Sequence, residues 1–414
     1  MSTLQPVRGT HDLLPETYRA HRHVMDTAAA VSLRYGFEEM TPPVFEFTDV
    51  FKRTLGDTSD IVTKEMYTFE DRGGDSITLR PEFTAGIARA FMSNGLQQQV
   101  PVKFFARGPV FRYERPQKAR LRQFHQVDVE ILGVPGPQAD IEVIAVGAHL
   151  LDVLGVTADV TLQINTLGDT ESRQAYRQTL VDYLTAHKSK LSEDSLTRLE
   201  KNPLRIFDSK DEGDRAVMAD APLLQDHLND HSRTFFDEVL QGLADIGVVA
   251  EVNPRLVRGL DYYSHTAFEF VTDKLGAQGA VLAGGRYDGL MEQMGGRPMP
   301  GIGWAAGVER LAMMVGDVTG AVKPVTVIPV GADAQRAAMK VAEDLRRGGF
   351  NVEMGYAGNM GKRMKRANAA GAVAAVILGS EELAREAATV RDMASGEQAE
   401  VPLNALREHL AKHL

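Results

Sequence analysis

The sequence predicts an α+β fold with a helical insertion and a separate carboxyl-terminal α/β domain. The stretches VFRYE and FHQVDVEILG predict two strands, joined by the long basic connection RPQKARLRQ. Residues 169–245 have a polar helical pattern without Gly-rich motifs, which predicts an inserted helical subdomain. After Gly320 and Pro324, short apolar strands alternate with helices. We therefore expect residues 325–414 to form an independent α/β domain.

Composition indicates an ordinary globular protein of two or three domains, because 43% of the 414 residues are hydrophobic and 25% are charged. The chain contains no apolar run of about 18 residues, and its amino terminus lacks the pattern of a signal peptide. We therefore expect a cytoplasmic protein that is neither secreted nor inserted in a membrane.

The absence of cysteine excludes disulfides, thiolate zinc sites and cysteine nucleophiles. Since no His-Glu-x-x-His pattern is present either, we predict no metal site of the chain's own and expect any metal to arrive with a substrate. The net charge of -10 argues against general binding of nucleic acid. Residues 325–414, however, carry 12 Lys and Arg against 11 Asp and Glu, so only this part could meet a polyanion without general repulsion.

Two amphipathic helices are predicted in the first hundred residues. In residues 16–35, apolar residues recur at spacings of four, three and four, and Gly36 follows as a helix stop. A second helix is predicted to begin with Pro81 at its favoured first position and to end at Gly95.

The two central strands carry polar side chains where a buried strand would not. A period of two places Arg112 and Glu114 on one face of the first strand. On the second strand, one face carries the alternating row Phe124, Gln126, Asp128 and Glu130, and the other face is apolar. Such a row either faces solvent or lines a site, and these strands alone do not decide between the two.

Three further motifs favour a site. LVRGLDYY at residues 256–263 predicts another polar strand, and AGGRYDGL at 283–290 supplies tight turns. GIGWAAGVERL passes from a Gly-rich turn into a helix with Arg310 in its first turns, where backbone N–H groups and a cation can face phosphate.

Taken together, these motifs resemble those of class II aminoacyl-tRNA synthetases, and within that class the histidyl-tRNA synthetases. The resemblance extends from VRGTHDLLP through LRPEFTAG, FRYERPQKARLRQFHQ, LVRGLDYY and GVERL into the carboxyl-terminal domain. Phe83 and Ala119 stand where the family pattern often has glycine.

The resemblance implies a catalytic domain over residues 1–322, built on the antiparallel sheet of that class, with the insertion at 169–245. It implies an anticodon-binding domain at 325–414. The expected activity is ATP-dependent activation of L-histidine, with Mg²⁺, followed by transfer to the 3′ end of tRNA-His. The resemblance also implies a homodimer, with the segment TPPVFEFTDVFKRTLGD near its interface.

The resemblance also implies roles for individual residues. Arg112 and Arg258 would act on the α-phosphate, and Arg310 on the γ-phosphate. The expected ATP-binding residues are Arg112, Glu114, Arg120, Phe124 and Arg310. The expected histidine-binding residues are Glu82, Thr84, Gln126, Glu130, Tyr262, Tyr263 and Tyr287.

Among the histidine-binding residues, Glu130 and Tyr263 are expected to bind the imidazole. Strand parity would place Tyr262 and Tyr263 on opposite faces, so both can line one pocket only if the strand ends there.

The basic run GKRMKRANAAGA contains Lys362, Arg363, Lys365 and Arg366. It is either a solvated helix face or, as the family resemblance favours, a contact for tRNA phosphates.

Two other functions fit the same resemblance. A non-catalytic, histidine-binding regulatory subunit of ATP phosphoribosyltransferase would keep the catalytic fold but lack the carboxyl-terminal domain and have eroded ATP motifs. An RNA-binding module would not need Arg258 together with Glu130 and Tyr263. This chain has the carboxyl-terminal domain, retains the ATP-motif residues Arg112 and Arg310, and carries Arg258, Glu130 and Tyr263. We therefore expect the ligase.

Overall fold

The computed structural model describes residues 3–55, 61–117, 120–257, 262–276, 279–318 and 323–413. It divides into two compact units, residues 1–318 and 319–414. In the first unit the helices are α1 Pro15–Arg34, α2 Thr48–Leu55, α3 Thr84–Ser93, α4 Gln138–Val153, α5 Thr170–Ala186, α6 Glu193–Lys201, α7 Glu212–Ala219, α8 Asp230–Asp245, α9 Leu290–Gln293 and α10 Val308–Val315. The strands are β1 Glu38–Glu39, β2 Phe45–Phe47, β3 Tyr67–Glu70, β4 Ser76–Leu79, β5 Val102–Phe111, β6 Gln123–Leu132, β7 Thr161–Thr166, β8 Glu251–Val252, β9 Ser264–Val271, β10 Ala280–Arg286 and β11 Gly301–Gly307.

The large sheet of the first unit has the strand order β1-β5-β6-β11-β10-β9-β7-β8 among the described residues. Its neighbouring strands are antiparallel except at the two edges, where β1 is parallel to β5 and β8 is parallel to β7. A smaller sheet has the order β2-β4-β3. None of the helices in the described parts of the chain is both long and apolar enough to cross a membrane.

The two faces of the large sheet differ in chemistry. On β6, Val127, Val129 and Ile131 join one hydrophobic core with residues of α1, α4 and α8. Because side chains alternate along a strand, the other face of β6 presents Gln126, Asp128 and Glu130. Helices therefore cover one face, and the polar row lies on the opposite face.

The described residues of the predicted insertion are largely helical. Helices α5, α6 and α7 surround a hydrophobic core of their own. Helix α8, in contrast, packs Phe235, Phe236 and Val239 into the core of the large sheet. The region is thus not uniform, since its last helix contributes to the main core.

The second unit combines parallel and antiparallel strand pairs. Its elements are β12 Val325–Pro329, α11 Ala334–Arg347, β13 Val352–Met354, α12 Met360–Ala369, β14 Ala374–Leu378, α13 Ser380–Ala384, β15 Ala387–Asp392, β16 Gln398–Pro402 and α14 Leu406–Leu410. The strand order is β13-β12-β14-β15-β16, with parallel pairs around β12 and antiparallel pairs from β14 onward. The predicted alternation of strands and helices after Pro324 is confirmed.

Three local predictions were wrong. Helix α3 begins at Thr84 rather than Pro81, with Phe83 as its N-cap residue, and the Glu82 carboxylate before the helix accepts the Ala85 N–H at 2.9 Å. Strand β5 ends at Phe111, so Arg112 and Glu114 lie beyond it.

The third error concerns the described part of LVRGLDYY, since residues 256, 257, 262 and 263 are not in a strand and β9 begins only at Ser264. Residues 258–261 lie outside the described residues. Tyr262 and Tyr263 therefore precede the strand, and its alternation does not separate them. The question that parity raised about these two tyrosines is resolved by this strand boundary.

Candidate active site

A cavity of about 430 Å³ opens on the polar face of the large sheet in the first unit. Most of the predicted site residues line it: Glu82, Thr84, Arg112, Glu114, Arg120, Phe124, Gln126, Tyr262, Tyr263, Tyr287 and Arg310. The interpretation of the β6 polar row as a site lining is therefore favoured over a solvated sheet face.

Glu130 lies beneath this lining and is 1% exposed. Its Oε1 accepts a 2.5 Å hydrogen bond from the Thr84 hydroxyl, and its Oε2 accepts one from the Tyr287 hydroxyl. Thr84 is the first residue of α3, whereas Tyr287 directly follows β10. Two separate segments thus hold the carboxyl group of this β6 residue in a fixed orientation.

Three tyrosine rings form a wall beside Glu130. The ring centroids of Tyr262 and Tyr263 are 4.5 Å apart, and those of Tyr262 and Tyr287 are 5.8 Å apart. All three side chains are buried. This end of the cavity can enclose a small planar group against a carboxyl.

A second group of contacts is cationic. The Arg112 Nε donates to the Pro81 carbonyl at 2.9 Å, and its guanidinium carbon lies 5.4 Å from the centre of the Phe124 ring. Arg120 and Glu114 form a 2.8 Å ion pair.

The third arginine of this group, Arg310, is the third residue of α10 and donates to the Ala280 carbonyl. Its pKa is lowered, chiefly by burial and then by the charge of Arg120. Fixed guanidinium groups beside an aromatic ring suit a nucleotide with its phosphates.

Burial raises the pKa of three carboxyl groups under the cavity. The pKa of Glu130 is raised to about 8, mainly by burial and less by the charge of Glu82, while hydrogen bonds from Thr84 and Tyr287 lower it. Burial likewise raises the pKa of Glu82 and that of Asp128. The charge of Glu130 further raises the pKa of Asp128.

The raised pKa of Glu130 predicts a pH dependence of stability. Since this pKa lies above its ordinary value of 4.5, the folded chain keeps a proton that the unfolded chain releases between about pH 4.5 and about 8. The resulting stabilisation is complete below about pH 4.5, declines as the pH rises, and is lost above about pH 8. It amounts to about 1.4 kcal/mol for each unit of pKa difference.

We expect the stability difference between the wild type and Glu130→Gln to fall from about pH 5 to about pH 8.5, since the amide does not titrate. Urea unfolding of both proteins across this range measures it. Parallel pH profiles would contradict the assignment to Glu130.

Gly303 brings the backbone of β11 against Glu130, its partner in the β6 register. A Cβ at Gly303 would collide with the Glu130 carboxylate and the Val129 carbonyl. We expect Gly303→Ala to destabilise the fold by about 1–3 kcal/mol, because Glu130 must move. If Glu130 binds histidine as the resemblance implies, the same shift would weaken that binding. Thermal unfolding and calorimetry measure both effects.

Gly289→Ala is the matched control, since only the end of the Gln293 side chain, at 4.0 Å, comes near its Cβ position. Equal behaviour of the two variants would contradict the argument.

The structure does not place every predicted residue. Arg258 lies outside the described residues. In the second unit, α12 carries the four predicted tRNA contacts, of which Lys362, Lys365 and Arg366 are exposed. Arg363 instead donates to the Pro329 carbonyl of its own unit. It is therefore more enclosed than the other three.

Two charged residues that line the cavity were missed by the sequence analysis: Glu269 and Glu309. Glu269 is the polar residue in the apolar run AFEFV, and this break in the pattern could have marked it. Glu309 precedes Arg310 in the motif that was already singled out, but its contacts come from distant segments.

Comparison with known proteins identifies the family of this arrangement. A family model described as histidyl-tRNA synthetase matches residues 9–311. The chain belongs to the histidyl-tRNA synthetase family. A second model, described as an anticodon binding domain, matches residues 324–413.

Relatives agree with this membership over the full length. A histidine–tRNA ligase of Rhodospirillum rubrum is 63% identical over 415 residues, covering 100% of both chains. One of Gluconacetobacter diazotrophicus is 54% identical over 411 residues, covering 99% of each chain. The apo S. aureus histidyl-tRNA synthetase has a TM-score of 0.84 at 33% identity and covers 98% of this chain and 99% of its own.

These relatives favour the ligase over the regulatory subunit. The fold of this chain is therefore that of a class II synthetase, as predicted. The match of the anticodon binding domain model to residues 324–413 fits the same family.

Proposed function

We propose that the chain is a histidine–tRNA ligase, which activates L-histidine with ATP and transfers it to the 3′ end of tRNA-His. The observation that carries this proposal is a single cavity with two parts. Glu130 and the tyrosine wall lie at one, and Arg112, Arg120 and Arg310 lie at the other. Its two groups of contacts match the two substrates of the first half-reaction. The membership in the histidyl-tRNA synthetase family supports the same activity.

Histidine recognition is assigned to the end of the cavity around Glu130. A ring N–H of the substrate would donate to the Glu130 carboxylate, with Tyr263 on the other side of the imidazole. Glu82, Thr84 and Gln126 would bind the amino group, and Tyr262 and Tyr287 would close the pocket. An amino acid without ring nitrogens would leave buried polar groups unpaired, which can discriminate by about 10⁴-fold without editing.

Activation needs alignment rather than a general base, since the substrate carboxylate is already a nucleophile. Arg112 and Arg258 would neutralise charge on the α-phosphate, and Arg310 would hold the γ-phosphate. Phe124 would stack on adenine, with Glu114 and Arg120 beside it. Mg²⁺ would enter with ATP, and the carboxylates of Glu114 and Glu269 offer the hard oxygen ligands that it prefers.

The second unit is proposed to bind tRNA near the anticodon, as an anticodon-binding domain over residues 325–414. The exposed cations Lys362, Lys365 and Arg366 on α12 support this role, and Arg363 is included as a weaker contact. Residues 1–322 would form the catalytic domain, with the helical insertion at 169–245. Replacing Lys362 or Lys365 would lower tRNA affinity and its salt dependence, without affecting adenylate formation.

We also propose that the enzyme acts in the cytoplasm as a homodimer. The segment that begins at Thr41 would lie near the interface. Its apolar side chains Val44, Phe45 and Phe47 are exposed in the single chain, which supports an interface there. Light scattering of the purified chain tests the dimer.

The ligase proposal is tested by exchange of labelled pyrophosphate into ATP, without tRNA, with histidine and with each other amino acid. Exchange that depends on histidine alone is expected. A folded protein that binds histidine but exchanges with no amino acid would overturn the proposal and favour the regulatory subunit.

The role assigned to Arg258 gives a separate prediction. We expect Arg258→Ala to slow adenylate formation by about 10²–10³-fold while changing histidine affinity much less, since its charge acts mainly on the transition state. Single-turnover kinetics and equilibrium binding separate the two quantities. Equal losses in both would contradict this role.

A further inference from the structure

A cluster of two histidines and one glutamate, in which His21 and Glu309 are buried and His125 is partly buried, lies beside the cavity and is not used by the proposed reaction. His21 comes from α1, His125 from β6 and Glu309 from α10. We propose that these three side chains form a binding site for a divalent transition-metal ion, with zinc as the best fit. We refer to them as the His-His-Glu cluster.

The three ligand atoms of the cluster converge on one small volume. One ligand atom from each side chain lies within 4.8 Å of the other two. The His125 Nδ1 is 2.9 Å from the Glu309 Oε1, and the His21 Nδ1 is 4.0 Å from the same oxygen. Ligands of a tetrahedral zinc ion lie about 3.3–3.5 Å apart, so binding needs shifts below about 1 Å.

His21 supplies an independent sign that a ligand is missing from this volume. The residue is 4% exposed, and its Nδ1 is buried without a hydrogen-bond partner. A buried polar atom without a partner is costly. The Nδ1 faces a carboxylate oxygen at a distance too long for a hydrogen bond, which is where a bridging cation would relieve the cost.

Carboxylate and imidazole donors suit zinc. Two histidines and one glutamate are a known ligand set for this ion, and a water molecule can complete the coordination. In the metal-free protein, Nδ1–H of His125 donates to Glu309. Binding requires the other neutral tautomer of His125, which turns the Nδ1 lone pair toward the ion without a change of charge.

The surroundings hold Glu309 in place for this role. The backbone N–H of His125 lies 3.0 Å from each of the two Glu309 carboxylate oxygens. Such outer contacts fix the orientation of a metal ligand. Glu309 also lines the cavity, next to Arg310 in the chain. A bound ion would therefore link α1, β6 and α10 beside the cavity.

The test uses the full-length chain without an affinity tag, stripped of metal by a chelator. Zinc is titrated against a competing chromophoric chelator, in the absence of free histidine. The decisive variant is His21→Asn, which removes one ligand but no residue assigned to catalysis.

His23→Asn is the matched control. Two residues further along α1, His23 points about 200° away from His21 and is not part of the cluster. We expect one zinc per chain in the wild type and the control, and an affinity at least about 10–100-fold lower in His21→Asn. Absence of one-to-one binding, or equal affinity of the two variants, would overturn the proposal.

A measurement on the wild type keeps the proposal testable if His21→Asn does not fold. X-ray absorption at the zinc edge is expected to show nitrogen and oxygen ligands with outer-shell scattering from two imidazoles. Scattering from no imidazole, or from one alone, would show adventitious zinc and overturn the assignment. Neither measurement depends on ligase activity, so the proposed function and the metal site can fail independently.

Discussion

Replacing Arg112 with alanine is expected to lower the rate of adenylate formation by about 10²–10³-fold. The guanidinium is held by the Pro81 carbonyl and lies beside Phe124, so in the proposed role it would meet the developing charge on the α-phosphate without reorganisation. Histidine binding should change little, because the contacts around Glu130 do not include Arg112. Pyrophosphate exchange and calorimetric titration with histidine measure the two effects.

Arg115→Ala serves as the control for Arg112→Ala. Arg115 is exposed, lies three residues further along the chain, and does not line the cavity. We expect its exchange rate to remain near that of the wild type. A comparable loss in both variants would mean that general charge, rather than the fixed position of Arg112, is responsible.

Replacing Glu130 with glutamine is expected to lower kcat/KM for histidine by about 10²-fold. Below about pH 8 the buried Glu130 of the free protein holds a proton, so the charged acceptor would form only when histidine binds. The amide cannot supply it, and a hydrogen bond to a charged group is worth about 1.5–3 kcal/mol. The amide keeps the shape of the side chain and can still pair with the hydroxyls of Thr84 and Tyr287. Above about pH 8, where the stabilisation by the Glu130 proton is lost, the loss should therefore appear in substrate recognition rather than in folding.

Selectivity is the sharper measurement for Glu130→Gln. Pyrophosphate exchange with glutamine or phenylalanine, relative to histidine, should rise in the variant because histidine alone loses a charged contact. Gln97→Glu, a conservative change outside the cavity lining, provides a control for handling and purity. Unchanged relative rates in Glu130→Gln would show that the imidazole is recognised elsewhere.

Much of this site could be predicted from the sequence because its residues fall in local patterns. Alternation along β6 correctly placed Gln126 and Glu130 on one face, since one face of the strand must pack on helices. The pattern could not fix where strands and helices end. Arg112 was wrongly assigned to β5 and Pro81 to α3, because such boundaries depend on contacts such as the hydrogen bond from the Ala85 N–H to Glu82.

Contacts between distant segments were the main part that the sequence did not predict. The polar row on β6 gave no sign that Tyr287, more than 150 residues further along the chain, bonds to Glu130. The His-His-Glu cluster likewise draws its members from three segments, without the short spacing that marks most metal motifs. Family resemblance supplied the role of Tyr287 as a pocket wall, but not its hydrogen bond.

The bare backbone of β11 at Gly303 limits how this pocket can be engineered. Because the wall next to Glu130 has no side chain there, no substitution at this position can create more room. Enlarging the pocket for a bulkier histidine analogue by shortening Thr84 or Tyr287 would in each case remove a donor to Glu130. Substrate size and the orientation of the recognising carboxyl are therefore coupled, so libraries should vary these positions together rather than one at a time.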